Sequence, residues 1–168
     1  MLWLGETLGF WIQTGALVIS AVAAVWLLRS STKRQKMRAT VDMVLELSKD
    51  PDYKNARKTI RKLHDDKVTN FSKYIQDKDS NEYHAILNTL NTYEFMASGI
   101  RCRAFDEYVY KRMLYSTIVN DWSTLQGFIA ELRIDSDRSS LFQDFCWLGA
   151  RWDDDKLKDR VPWYRKWL

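Results

Sequence analysis

Residues 8–28 contain no charged side chain, and five cations (Arg29, Lys33, Arg34, Lys36 and Arg38) follow within the next ten positions. As a helix, these 21 residues span about 31 Å, which matches a bilayer hydrocarbon core of about 30 Å. Ten of them are Leu, Ile, Val or Phe, together contributing on the order of −3 to −6 kcal/mol to insertion. Gln13, Thr14 and Ser20 cost something, but none is ionisable. Trp3, Trp11 and Trp26 lie toward the ends, where interfacial aromatic belts form. A cleaved export signal needs a positive leading region, and the only charge ahead of the run is Glu6. A soluble core helix rarely runs this long without a charge. The reading is a permanent anchor, with the N-terminus outside and the cationic flank in the cytoplasm.

Two finer features follow from the anchor. Ala16, Ser20 and Ala24 form a small-residue stripe along which two copies can approach, so a homo-oligomer is one expectation. The five cations suit anionic lipid headgroups, at about 1 kcal/mol for each near-surface charge.

The rest of the chain is charged throughout and long enough to bury a core. Between Gly15 and Pro51 there is no Pro or Gly. The anchor helix is therefore free to continue along a stripe of Met37, Val41, Val44 and Ser48. Ser30, Ser31 and Thr32 are the weak place, because their side chains compete for backbone bonds, and the sequence leaves a break there open. Asp50-Pro51 is a helix start. That helix carries Tyr53, Ala56, Ile60 and Leu63. Residues 67–79 read as irregular, with a short turn near Phe71 and Ile75. A capping-box spacing makes Asp79 the expected cap of a long helix bearing Tyr83, Ile86, Leu87, Leu90, Tyr93, Ala97 and Ile100. Asp106-Glu107 starts another helix, with Val109, Met113 and Ile118. Trp122, Leu125, Ile129 and Leu132 mark the next, and Leu141, Phe145, Leu148 and Trp152 the last. Nothing alternates as a strand does.

The predicted fold class is all-α: one N-terminal transmembrane helix followed by a compact cytoplasmic helical bundle. The corresponding divisions are an extracytoplasmic terminus at 1–7, the span at 8–28, a basic juxtamembrane helix at 29–50, a helical domain at 51–152 and a tail at 153–168. In the tail, Trp163, Tyr164 and Trp167 interleave with Arg165 and Lys166. Such a pattern suits the membrane interface, so Trp163, Arg165, Lys166 and Trp167 join the expected headgroup contacts. Packing of these rings on the helical domain is the alternative.

The stretch "ILNTLNTYEFMASGIRCRAFDEYVYKRML", with "NDWSTLQGFIAELR" after it, resembles a bacterial or phage family of small proteins with a helical domain of unknown function. The resemblance covers about residues 38–152 and rests on Asn91, Glu94, Ala97, Gly99-Ile100-Arg101, Asp106-Glu107, Trp122 and Arg133. It implies a membrane helix ahead of a helical domain and implies no reaction. Read physically, Asn91, Glu94, Arg101 and Arg133 are expected to form an internal polar network, because a buried carboxylate and a guanidinium need each other. Gly99 is expected to allow close helix approach.

Motifs that carry chemistry are missing. The scattered Gly99, Gly127 and Gly149 make no phosphate-cradling loop, and no Gly-x-Ser-x-Gly elbow occurs. Asp153-Asp154-Asp155 and His64-Asp65-Asp66 read as solvated helix ends rather than metal ligands. His64 and His84 lack partners at zinc spacing, and Cys102 and Cys146 are expected to be buried, reduced thiols. A net charge of +4 is too small to argue for nucleic acid, and no recognition motif is present. The expectation is a non-enzymatic single-pass inner-membrane protein without metal or cofactor. Its cytoplasmic domain binds a protein partner or itself. The alternatives are a membrane-acting effector of phage exclusion or host defence, and a binder of anionic lipid or a small ligand near Glu94 and Arg101.

Overall fold

The computed structural model describes residues 3–157, and among these it is all-helical with no strand. The tail residues Trp163, Arg165, Lys166 and Trp167 lie outside the described residues. The first helix, α1, runs from Trp3 to Lys49. It passes through Ser30, Ser31 and Thr32 without a break, because the Thr32 hydroxyl donates to the Leu28 carbonyl at 2.9 Å. The competing side chain is thus satisfied inside the helix it threatened. The chain divides between Arg38 and Ala39 into two units.

In the first unit, α1 exposes its apolar side chains from Phe10 to Leu28. It is the one helix among the described residues that is long and apolar enough to cross a membrane, with a mean hydropathy of 1.8.

The second unit is built around α4 (Asn81–Arg101), which packs against α2 (Pro51–Asp65) and α6 (Gln143–Asp154). The long α5 (Glu107–Ser136) packs against α2, α6 and the short α3 (Ser72–Gln76). Asp50 caps α2 by accepting from the Asp52 amide at 2.8 Å, and Pro51 sits in the first turn where its missing N–H costs nothing. Ile86, Leu90, Tyr93, Met96, Ala97 and Ile100 form the buried stripe of α4, which meets Ile60 and Leu63 of α2 and Phe145, Leu148 and Trp152 of α6 in one core. Trp152 is fully buried, yet its indole nitrogen reaches Glu107 Oε1 at 3.1 Å. That bond meets the polar requirement of a buried tryptophan.

Several local expectations are corrected. The buried stripe at the end of α1 is Thr40 and Val44, whereas Met37 and Ser48 are exposed. Thr40 turns inward because its hydroxyl accepts from the Asp106 amide at 2.8 Å. Ser80, not Asp79, caps α4: its oxygen accepts from the Tyr83 amide while its proton goes to the Asp77 carbonyl. A carboxylate can accept but not donate, so aspartate cannot fill both roles. The two helices expected between Asp106 and Leu132 are one. Asp121, inside this continuous helix, makes a buried tertiary contact with Arg57.

Gly99 does not serve helix approach. A Cβ there would lie 2.2 Å from the Phe105 ring, which folds back onto the end of its own helix. Close approach belongs to Gly149, where a Cβ on α6 would lie 2.6 Å from the Trp122 ring of α5. Gly149→Ala is therefore expected to destabilise the unit by about 1–3 kcal/mol, the usual range for overpacking. Urea melts compare it with Ala150→Gly, whose position is exposed and costs only the helix propensity of about 1 kcal/mol. Equal losses for the two variants would show that the Trp122 contact is not tight.

Candidate ligand groove between α2 and α5

Where α2 crosses α5, the facing stripes are polar. On α2, Arg57, Arg61, His64 and Asp65 recur at helical spacing and form one wall. On α5, Ser116, Thr117, Asn120 and Asp121 form the other. Together they line a groove of about 380 Å³.

Its floor is a buried polar cluster. Asp121 is 5% exposed and accepts both from the Arg57 guanidinium and from the Tyr93 phenol, by short contacts through the same oxygen. Arg57 Nη1 also donates to the Tyr93 oxygen at 2.9 Å. Each member satisfies another, which a charge in the interior requires. The sequence reading passed over this cluster. Asp121 occupies a core position of α5, between the fully buried Ile118 and Leu125, and a carboxylate on an apolar stripe was the available signal.

Burial pushes the Tyr93 phenol well above its ordinary value, with the neighbouring Tyr53 adding to the rise and Arg57 opposing it. Burial raises Tyr110 in the same way. Both stay protonated in the folded chain when the unfolded chain would release its protons. A raised acid pKa favours the neutral form, so stability is unaffected below about pH 10 and falls above it. Two such phenols give a loss of about 3 kcal/mol for each pH unit past that point. Urea midpoints taken between pH 8 and 11 are expected to break downward near pH 10, and Tyr110→Phe to halve the slope attributable to the pair. A slope that the variant leaves unchanged would remove these phenols as the cause.

At the end of α2, His64 Nδ1 lies 2.8 Å from Thr124 Oγ1, and that hydroxyl donates onward to the Asn120 carbonyl. The hydroxyl proton being spent, the imidazole must be the donor, which assigns its proton to Nδ1.

The residues proposed as one internal network are in three places. Asn91 is exposed on α4. Glu94 accepts from the Asp144 and Phe145 amides at 3.2 and 2.8 Å, capping α6 from another helix. The Phe142 cap position of α6 has no side chain able to do this. Arg101 pairs with Asp144 at the same helix start, but its side chain is 52% exposed. Arg133 donates twice to the Leu141 carbonyl and once to Cys146 Sγ. Glu94 and Arg101 thus converge on α6, and Arg133 ties down the chain before it. Open helix ends, rather than one another, supply their partners.

Among the other residues singled out, Arg29, Lys33, Arg34 and Arg38 are exposed on α1 and Lys36 is half-buried. Ala16, Ser20 and Ala24 are exposed, and the Ser20 hydroxyl donates to the Ala16 carbonyl at 2.8 Å. Cys102 is exposed rather than buried, and Cys146 is half-buried with its thiol pushed up by desolvation.

A model of a domain of unknown function, DUF4760, matches residues 14–152. The chain belongs to the DUF4760 family. The match begins inside the apolar run, so the DUF4760 domain takes in most of that run as well as the helices that build the groove. The family description assigns no activity. No curated protein and no solved structure matches the chain.

Proposed function

We propose that this DUF4760 protein is a non-enzymatic, single-pass protein of the inner membrane. Its N-terminus is outside, and its helical unit works in the cytoplasm as a binding module for a protein partner or a second copy. The observation that carries the reading is the surface of α1. Phe10, Trp11, Ile12, Leu17, Ile19 and Val22 are 64–71% exposed, and no part of the apolar window is covered by the chain itself. A core helix would bury those side chains. Water is a costly alternative, at about 25 cal/mol for each Å² of apolar surface, so lipid is the favoured cover. The cations that follow set the orientation by the positive-inside bias and give anionic headgroups a place to bind.

Alkaline carbonate washing of membranes is expected to leave the chain in the pellet. A reporter fused after Leu168 should be active only in the cytoplasm. Release of the intact chain by carbonate would overturn the anchor, and an exported reporter would overturn the orientation.

A further inference from the structure

The α2–α5 groove has an unusual lining. Ligand pockets are mostly apolar with a few polar groups, whereas every residue lining this one is polar or charged. A hydrophobic ligand would gain little there and would strip water from side chains that need it. The occupant must therefore be polar.

Its charge follows from which lining groups are already spent. Arg57 is neutralised by Asp121 and held by Tyr93. Among the described residues, Arg61 has no hydrogen bond or ion pair, and neither has the hydroxyl of Ser116 or of the half-buried Thr117. Elsewhere in the unit, hydroxyls on helices, such as those of Thr59, Thr89, Thr92 and Thr124, are taken up by backbone carbonyls four residues back. One wall thus offers a guanidinium, and the other two hydroxyls and the Asn120 amide. Lys62, exposed on the same helix, adds positive potential. Asp65 is the one lining carboxylate without a cation bonded to it. It lies one turn beyond Arg61, where it repels an anion and can accept from a hydroxyl.

A carboxylate ligand presents two coplanar oxygens, whereas a phosphate monoester presents three in a tetrahedral array. Donors supplied from two walls rather than from one planar fork suit the second. The volume of about 380 Å³ also exceeds what a bare phosphate needs and falls within the range of small-ligand sites. We propose that this groove binds a small, soluble phosphate monoester carrying hydroxyl groups. Arg61, Ser116, Thr117 and Asn120 take the phosphate, and Asp65 takes a hydroxyl of the organic part. This site is independent of the membrane topology proposed above and survives if that topology fails.

The test uses the full chain in dodecyl maltoside micelles titrated with glycerol 3-phosphate, read by 31P line broadening and by the melting temperature. Sodium chloride at matched ionic strength is the control. The expected result is saturable broadening with a raised melting temperature. Arg61→Ala should weaken binding at least tenfold and Thr117→Val about threefold. Lys58→Ala, an exposed cation outside the groove, should change it less than twofold. Arg61 is exposed, so its variant is expected to melt as the parent does without ligand, and that melt is recorded alongside. No saturation, or equal losses from Arg61→Ala and Lys58→Ala, would overturn the site in favour of diffuse surface charge. Binding to phosphatidic acid in phosphatidylcholine vesicles without binding to glycerol 3-phosphate would overturn the soluble ligand in favour of a lipid headgroup.

Discussion

Asp121→Ala is expected to destabilise the helical unit by about 3 kcal/mol, the largest effect of any single substitution considered. Removing one partner of a buried ion pair typically costs 3–5 kcal/mol, because the other charge is stranded. The lower end applies here: the Arg57 side chain is 25% exposed and can turn part of its charge to water. The Tyr93 phenol, 1% exposed, cannot turn to water and loses the Asp121 acceptor for its proton. Asp121→Asn keeps an acceptor of similar shape and should cost less. Pairing Asp121→Leu with Arg57→Met removes both charges and should recover much of the loss. Urea melts followed by circular dichroism measure all three. A double variant no better than Asp121→Ala would mean that the cluster contributes packing rather than paired charge.

Glu94→Ala should cost about 2–3 kcal/mol, through an effect confined to α6. Two backbone amides of its first turn donate to this carboxylate, and hydrogen bonds to a charged group are worth about 1.5–3 kcal/mol each. Partial access of water to the helix start brings the sum down. Without the cap, α6 is expected to fray from Gln143, taking Phe145 and then Trp152 out of the core. Hydrogen exchange should accelerate in α6 before α2 or α4. Arg101→Ala touches the same helix start through Asp144, but from an exposed position. It should cost less than about 1 kcal/mol. If the two variants proved equally mild, Glu94 would be a surface residue rather than a cap.

Much of the helical framework is legible in the sequence itself. Asp50-Pro51 and Asp106-Glu107 announce helix starts through local bonding, and the apolar residues of α4 and α6 recur at the helical period. These signals involve residues within one or two turns of each other, so a linear reading captures them. The failures share one cause. Asp79 and Ser80 are neighbours at the start of α4, and it is the Ser80 hydroxyl that both accepts from the Tyr83 amide and donates to the Asp77 carbonyl. Gly99 and Gly149 look alike as letters, yet one faces Phe105 of the following turn and the other Trp122 of a different helix.

The sequence alone determined the charge-free run with its cationic flank, the all-helical class and most helix boundaries, because hydropathy, period and capping are properties of neighbours along the chain. Only the tertiary structure decided that Glu94 caps α6, that Asp121 enters the core with Arg57 and Tyr93, and that two polar stripes face each other as a groove. Those outcomes depend on which helix faces lie opposite one another. A polar side chain far along the chain finds its partner only once packing has brought the two together.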